Sequence, residues 1–275
     1  MLQYQEMLRR ILETGQRKGD PHGVGNIAVC GHHMRFDVSD RFPLITTRSL
    51  AKSFKAAVVE LLWYLSGESR VDFLHKHGVH LWDQWATPEI CAQYGLEPGD
   101  LGRIYGPQWI RWRTSSGGEI NQIKNVIADL KRFPDSRRHV VTAWNPQDVD
   151  GVFVAPCHCF FKFFHAQGKL SLHLFQRSAD APVGVPFDIA EYAMFLRMVA
   201  QVVGMEVGEF VYDTSDTHIY LNQIEQTREL LTREPRPLPR IEINPDVKDI
   251  FAFRPEDFAL LDYDPHPAMK IPVAT

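Results

Sequence analysis

Apolar residues recur at helical spacing where the chain begins. Leu2, Met7, Leu8, Ile11 and Leu12 share one face, which predicts an amphipathic helix over residues 2–17. The glycine-rich stretch 19–25 reads as a turn-rich loop. Residues 26–38 read as a strand, or a bent pair of strands, interrupted at Gly31. A helix follows at 53–66 and carries VVELLWYL, with Glu60 inside the apolar run. A glutamate there is either a satisfied or exposed face residue or a buried functional carboxylate. Residues 70–77 predict a short helix, and Trp82 and Trp85 read as core positions by their spacing. The stretch 87–118, rich in glycine and proline, reads as a long loop containing Tyr105, and a loop of that length is often functional. Residues 120–133 form an amphipathic helix and 139–144 a strand.

In the second half, 154–164 and 170–177 read as strands joined by a turn at Gln167-Gly168. Residues 187–203 predict a long, strongly apolar and therefore central helix. A strand at 207–212, a helix at 216–231, a linker at 235–239, a strand at 240–244 and a last short pair within 250–262 complete the pattern before a proline-rich tail. No repeat, low-complexity segment or internal boundary interrupts it, so one α+β domain over 1–275 is expected.

Composition narrows the function classes. With 44% hydrophobic and 23% charged residues the chain has globular rather than disordered character. A net charge of −4 gives no general attraction to nucleic acid or membrane, so any anion must be met by locally placed arginines. Cys30, Cys91, Cys157 and Cys159 form no C-x-x-C pair, the opening MLQYQEMLRRILETG does not read as a secretory signal, and no apolar run approaches the ~18 residues of a membrane span. A reduced, cytoplasmic protein is expected, its cysteines being core residues or a nucleophile.

Several residues carry candidate chemistry. Cys157 lies in Ala-Pro-Cys-His-Cys at a strand mouth, where alternation would put Cys157 and Cys159 on one face and His158 on the other, against a simple Cys–His dyad. The C-H-C spacing suits no usual zinc pattern, and no metal is expected. A nearby arginine would stabilise a Cys157 thiolate, and Arg177, ending the adjacent strand, is the candidate. Arg137-Arg138 is either a solvated turn or a phosphate site, since guanidinium forks match phosphate oxygens. Asp188 enters the long apolar helix from QRSADAPVGVPFDIAEY (176–192), either as a helix cap or as a carboxyl that reads a ligand.

Taken together and in order, GHHMRF, FPLITT, ELLWYLSG, LWDQWA, GDLGRIYGPQW, PDSRR, AWNP, APCHCFF, QRSADAPVGVPFDIAEYA, DTHIYLNQIEQ, REPRPLP and YDPHPAMKIPVA resemble the thymidylate synthase family over nearly the whole length. The resemblance implies a mostly antiparallel sheet packed with helices and a homodimer formed sheet against sheet. It makes Cys157 the nucleophile that adds to C6 of a pyrimidine ring. It assigns Gln176, Arg177, Ser178 and Ala179 to the nucleotide site, with Arg137 and Arg138 reaching in from the second subunit and His218 and Tyr220 on the sugar. Asp180, Trp82, Trp85, Gly184 and the tail around Ala274 would face 5,10-methylenetetrahydrofolate, the co-substrate. Glu60 would organise water and proton transfers, and Tyr105 would help remove the C5 proton.

Three departures from the family pattern stand out. Asp188 occupies a position that is asparagine in thymidylate synthases. Uracil offers an acceptor at C4 and a donor at N3, which an amide answers; cytosine inverts both. A carboxyl in its acid form answers cytosine, and apolar neighbours (Val185, Pro186, Phe187, Ile189 and Ala190) would favour that form by desolvation. The resemblance is therefore to the cytidylate hydroxymethylase branch, and a CMP or dCMP 5-hydroxymethylase is expected. The alternatives are a thymidylate synthase tolerating aspartate and an idle nucleotide- or RNA-binding dimer. Pro21-His22 stands where the family has a phosphate arginine, and Arg48 to Lys55 differs in length and sequence. Arg103 and Lys162 are unusual and have no account from sequence.

Overall fold

The computed structural model describes residues 1–20 and 23–274; the Pro21-His22 departure lies outside them. In chain order the elements are α1 (Leu2–Thr14), β1 (Gln16–Lys18), β2 (Asn26–Asp37), α2 (Ala51–Ser66), α3 (Asp72–Lys76), α4 (Pro88–Gln93), α5 (Tyr105–Ile110), β3 (Trp112–Arg113), β4 (Glu119–Ile120), α6 (Gln122–Arg132) and β5 (Val140–Thr142). There follow β6 (His158–Ala166), β7 (Lys169–Asp180), α7 (Gly184–Val203), β8 (Glu206–Tyr220), α8 (Ile224–Thr232), β9 (Arg240–Ile243) and β10 (Phe258–Leu261).

Six strands form the main sheet in the order β1-β2-β8-β7-β6-β5. Every neighbouring pair is antiparallel except β7 and β8, which run parallel. A parallel pair cannot be closed by a hairpin, so the connection must cross the sheet, and α7 is that crossover. Its sequence is apolar all round and nearly all of it is buried, as a helix sandwiched between sheet and outer helices requires. The helix stops at Gly204, whose φ of 74° provides the left-handed cap. The β6–β7 hairpin turns where expected, with Gln167 and Gly168 at φ 53° and 78°, the two positive angles of a tight twisted turn. The mixed, mostly antiparallel α+β architecture agrees with the sequence expectation.

Five element assignments need correction. The strand expected at 207–212 runs from Glu206 to Tyr220, and the helix expected from 216 begins at Ile224. The polar run 213–218 imitates a helix entry, but β8 is held on both sides through it, by β2 and by β7. His218 and Tyr220 are therefore strand residues. The long loop 87–118 contains α4, α5 and the small β3–β4 hairpin. Thr87 caps α4 by accepting the Ile90 N–H, with Pro88 in the first turn, where its missing N–H costs nothing. The strand expected from 154 starts at His158, and its pairing with β7 shifts between His158 and Phe160. This bulge voids the alternation argument, since His158 and Cys159 are both buried. The last pair is a single strand, β10, pairing with β9.

Candidate active site

The site lies where β6 begins and β7 and β8 end, against the start of α7. Cys157 immediately precedes β6, and its backbone is fixed on both sides. Its N–H donates to the Tyr105 hydroxyl at 2.8 Å, and its carbonyl accepts from Arg177 N–H at 2.9 Å. The Arg177 side chain donates through Nε to Pro156 O at 3.0 Å and through a terminal nitrogen to Ala155 O at 2.7 Å. Its guanidinium lies 5.4 Å over the Trp144 ring. Burial pushes the Cys157 thiol above its ordinary value; the Arg177 cation opposes that shift and the Asp188 carboxyl adds to it.

Asp188 is 8% exposed, and its carboxyl is not in the apolar setting expected from its chain neighbours. His158 Nε2 lies 3.0 Å from Oδ1, and Gln176 Nε2 donates to Oδ2 at 3.0 Å. The Tyr212 hydroxyl lies 3.2 Å from the same Oδ2 and also bonds Gln176 Oε1. Side chains of a helix entry point into the sheet, so strands 12 to 30 residues away supply the partners. His158 Nδ1 is buried with no hydrogen-bond partner among the described residues, which suits the tautomer carrying its proton on Nε2, toward Asp188. Val183, the residue preceding α7, and not Asp188, stands at the helix cap, so the capping reading fails.

Glu60 is buried on α2, and its Oε1 accepts from Tyr64 hydroxyl at 2.9 Å and Trp82 Nε1 at 2.6 Å. Trp82 packs edge-on against Trp85 at 5.2 Å and Tyr105 at 6.2 Å, so the two tryptophans join Glu60 to the helix that carries Tyr105. Asp180 ends β7; burial raises its carboxyl from 3.8 to about 7, against the Gln223 side chain, the Val183 N–H and the Arg48 cation. Gln223 Nε2 reaches Asp180 Oδ2 at 3.2 Å and Pro272 O at 2.8 Å, which ties the tail to the site; Ala274 beyond it is buried. A Cβ on Gly184 would meet nothing closer than Asp188 Oδ2 at 3.8 Å. Ala179 is fully buried and Ser178 half-buried on β7. On β8, His218 is 5% exposed, with its ring 4.9 Å from Tyr220 and Nδ1 3.2 Å from Asp216 O. Burial lowers the His218 imidazole below its ordinary value, so it stands neutral.

Arg137 and Arg138 are exposed in the turn before β5 and have no ion pair among the described residues. Among the described residues no hydrogen bond or ion pair joins their side chains to the site groups. Arg48 is 8% exposed and donates to Pro182 O at 2.8 Å, so it braces the loop entering α7. Arg103, unexplained by sequence, pairs with Asp148 at 3.1 Å; Gln108 and Asn145 donate to the same carboxylate at 2.8 and 3.0 Å. That cluster anchors α5 and hence Tyr105. Among the described residues, His75, His80 and Asp83 have metal-ligand spacing, but both imidazoles are already hydrogen-bonded to Asp83.

Sequence reasoning brought together Cys157, Arg177, Asp188, Tyr105 and Glu60. It missed His158 as a partner of Asp188, and it missed Tyr212, Tyr64 and Gln223. Tyr212 alone carried a sequence signal, the inward phase of the alternating strand 207–212. Among the described residues no helix is long and apolar enough to cross a membrane. A family model described as thymidylate synthase matches residues 2–275. Members use methylenetetrahydrofolate for one-carbon transfer to a pyrimidine nucleotide. With the Cys157 thiol, the buried carboxyls and the mixed sheet in the expected order along that whole span, the chain belongs to the thymidylate synthase family.

Proposed function

We propose that the protein is a cytidylate hydroxymethylase: it transfers a one-carbon unit from 5,10-methylenetetrahydrofolate to C5 of CMP or dCMP and leaves it as a hydroxymethyl group. The observation that carries this reading is the acid at position 188. An aspartate stands where thymidylate synthases have an amide, and its carboxyl is held in a defined orientation by His158, Gln176 and Tyr212. Cytosine's N4 amino group donates to the carbonyl oxygen, and the acid O–H donates to N3. His158 Nε2, at 3.0 Å from Oδ1, orients the carboxyl toward the base edge. Attack at C6 makes N3 more basic, so the same contact strengthens as the reaction proceeds.

The remaining roles belong to the same proposal. Cys157 adds to C6 as a thiolate, which gives C5 the electron density that the free ring lacks. Arg177 and Ser178 hold the phosphate; Arg177 exchanges its loop carbonyls for the stronger charge-assisted bonds. His218 and Tyr220 meet the sugar. The folate supplies the one-carbon unit when bound, and the buried Trp82, the half-buried Trp85, the open face of Gly184 and the Asp180 carboxyl suit a flat heterocycle with polar edges. Arg137 and Arg138 complete the phosphate site of a second subunit. Exposed Phe160, Phe164 and Val140 on the adjoining strands favour that homodimer.

The test is incubation with methylenetetrahydrofolate and, separately, dUMP, dCMP, UMP and CMP, with dihydrofolate absorbance and product mass followed. The expected result is a hydroxymethyl mass gain on a cytosine nucleotide without dihydrofolate. Turnover of dUMP alone, with dihydrofolate released, would make the protein a thymidylate synthase, and no turnover of any nucleotide would make it a binding protein.

A further inference from the structure

One buried acid has no role in the scheme above. Glu191 stands three residues beyond Asp188 on α7, on the same side of the helix. It is 2% exposed, and its Oε1 has no hydrogen-bond partner among the described residues. Across the α2–α7 contact its neighbour is Glu60, near enough for a hydrogen bond between the two carboxyls. Ionised carboxylates are acceptors only, so that bond requires a proton between them. Two adjacent buried carboxyls cannot both ionise. The proton rests on Glu191: burial first, then the charges of Glu60 and Asp188, hold its carboxyl well above the ordinary range. Glu60, by contrast, already accepts from Tyr64 and Trp82. The titratable groups around the pair are Tyr64 on α2, Asp188 and Tyr192 on α7, and Tyr105 on α5 beyond Tyr64.

We propose that Glu191 is a positioning residue that donates a hydrogen bond to Glu60, so that the two form a carboxyl pair holding one proton and one negative charge beside the C5 chemistry. The inference rests on the hydroxymethylase reading. There the pair supplies the base for the final step: water oxygen bonds to the C5-attached methylene carbon, Glu60 takes the water proton, and the displaced electron pair restores the C5–C6 double bond as the Cys157 sulfur leaves. The neutral pair then returns that proton to solvent. Tyr64 and Trp82 fix the Glu60 carboxyl through Oε1, and Asp188 one turn away on α7 couples base recognition to the pair.

The test has one arm without substrate. Infrared difference spectroscopy of the full-length protein in H2O and D2O should show a protonated carboxyl band at neutral pH that is lost in Glu191→Gln. In Glu60→Gln the band should vanish at lower pH than in wild type, because the neighbouring negative charge is gone; this arm stands even where the Glu191 variant fails to fold. In the second arm, with whichever nucleotide turns over, Glu191→Gln should leave nucleotide KM near wild type, lower kcat by about 10²-fold and move the acidic limb of its pH profile. Absence of the band overturns the proposal. So does a band at Glu191 with an unchanged kcat profile, which would leave Glu191 as core filler. Because the spectroscopic arm uses no nucleotide, it succeeds or fails independently of whether cytosine is the substrate.

Discussion

The Tyr105 hydroxyl accepts the backbone N–H of Cys157 at 2.8 Å, so the main chain of this cysteine hangs from a tyrosine that opens α5. The Arg103–Asp148 pair holds that helix from below. Position of the thiol thus depends on residues some fifty positions earlier in the chain.

Tyr105→Phe removes the acceptor and leaves a buried N–H unpaired, which costs about 1–3 kcal/mol of stability. Nucleotide affinity should stay near wild type, while kcat falls by about 10²-fold, as expected for a group that both positions the thiol and takes part in proton removal. Denaturant unfolding and steady-state kinetics measure the two effects separately. Equal loss of affinity and kcat would make Tyr105 a binding residue instead.

Arg177 opposes the burial that raises the Cys157 thiol. Replacing it with glutamine removes the cation, so the thiolate becomes harder to form and the thiol titrates at still higher pH. The pH profile of Cys157 alkylation by iodoacetamide should shift to higher pH. Cys157→Ser should abolish turnover and retain nucleotide binding.

How much of this was legible depends on how far apart the partners stand in the chain. The hairpin at Gln167-Gly168 and the buried helix α7 follow from local signals and came out in place. The eastward reach of β8 to Tyr220 did not, because Asp213, Ser215 and Asp216 look like a loop and a helix cap until two flanking strands pair with them. Asp188 was legible as an anomaly of residue type. Its polar setting was not, because His158, Gln176 and Tyr212 come from three strands that only the fold brings to one carboxyl. Arg103 made no sense beside Tyr105 in sequence and does so beside Asp148, 45 residues later.

Asp188→Asn replaces the acceptor and acid with an amide that matches uracil. The ratio of kcat/KM for cytosine over uracil nucleotides should fall by roughly 10²–10⁴-fold, the range set by leaving polar groups of a built site unpaired. The variant should stay folded, since an amide retains an oxygen for Gln176 and Tyr212. An unchanged ratio would place base recognition elsewhere.

Asp180 gives a pH test at the end of β7. Its folded-state value is about 7 against an ordinary 3.8, raised by burial. The acid form is therefore favoured by folding. Its contribution is fully present below about 3.8 and is lost as pH rises through about 7. Asp180→Asn keeps a neutral side chain at all pH, so its thermal midpoint should exceed that of wild type increasingly between pH 4 and 8, by up to on the order of 4 kcal/mol in stability. A difference independent of pH would show that Asp180 ionises in the folded protein as it does in the unfolded chain.

Arg137 and Arg138 have no ion pair within the described chain, while Cys157 lies among β6, β7 and α5 of its own subunit. If a second subunit receives the arginines, each site of a homodimer needs both chains. Cys157→Ala and the double variant Arg137→Ala/Arg138→Ala should each be close to inactive alone. Mixed in equal amounts and allowed to exchange subunits, half the dimers become heterodimers, each with one site that has both the thiol and the arginines. Activity should then recover to roughly a quarter of wild type, the statistical share for an isologous dimer. The readout needs no knowledge of the interface itself. Recovery can occur only when the two sets of residues lie on different chains of the same site, so absence of recovery in a mixture shown by mass spectrometry to have exchanged would place the arginines in their own subunit's site or outside the reaction.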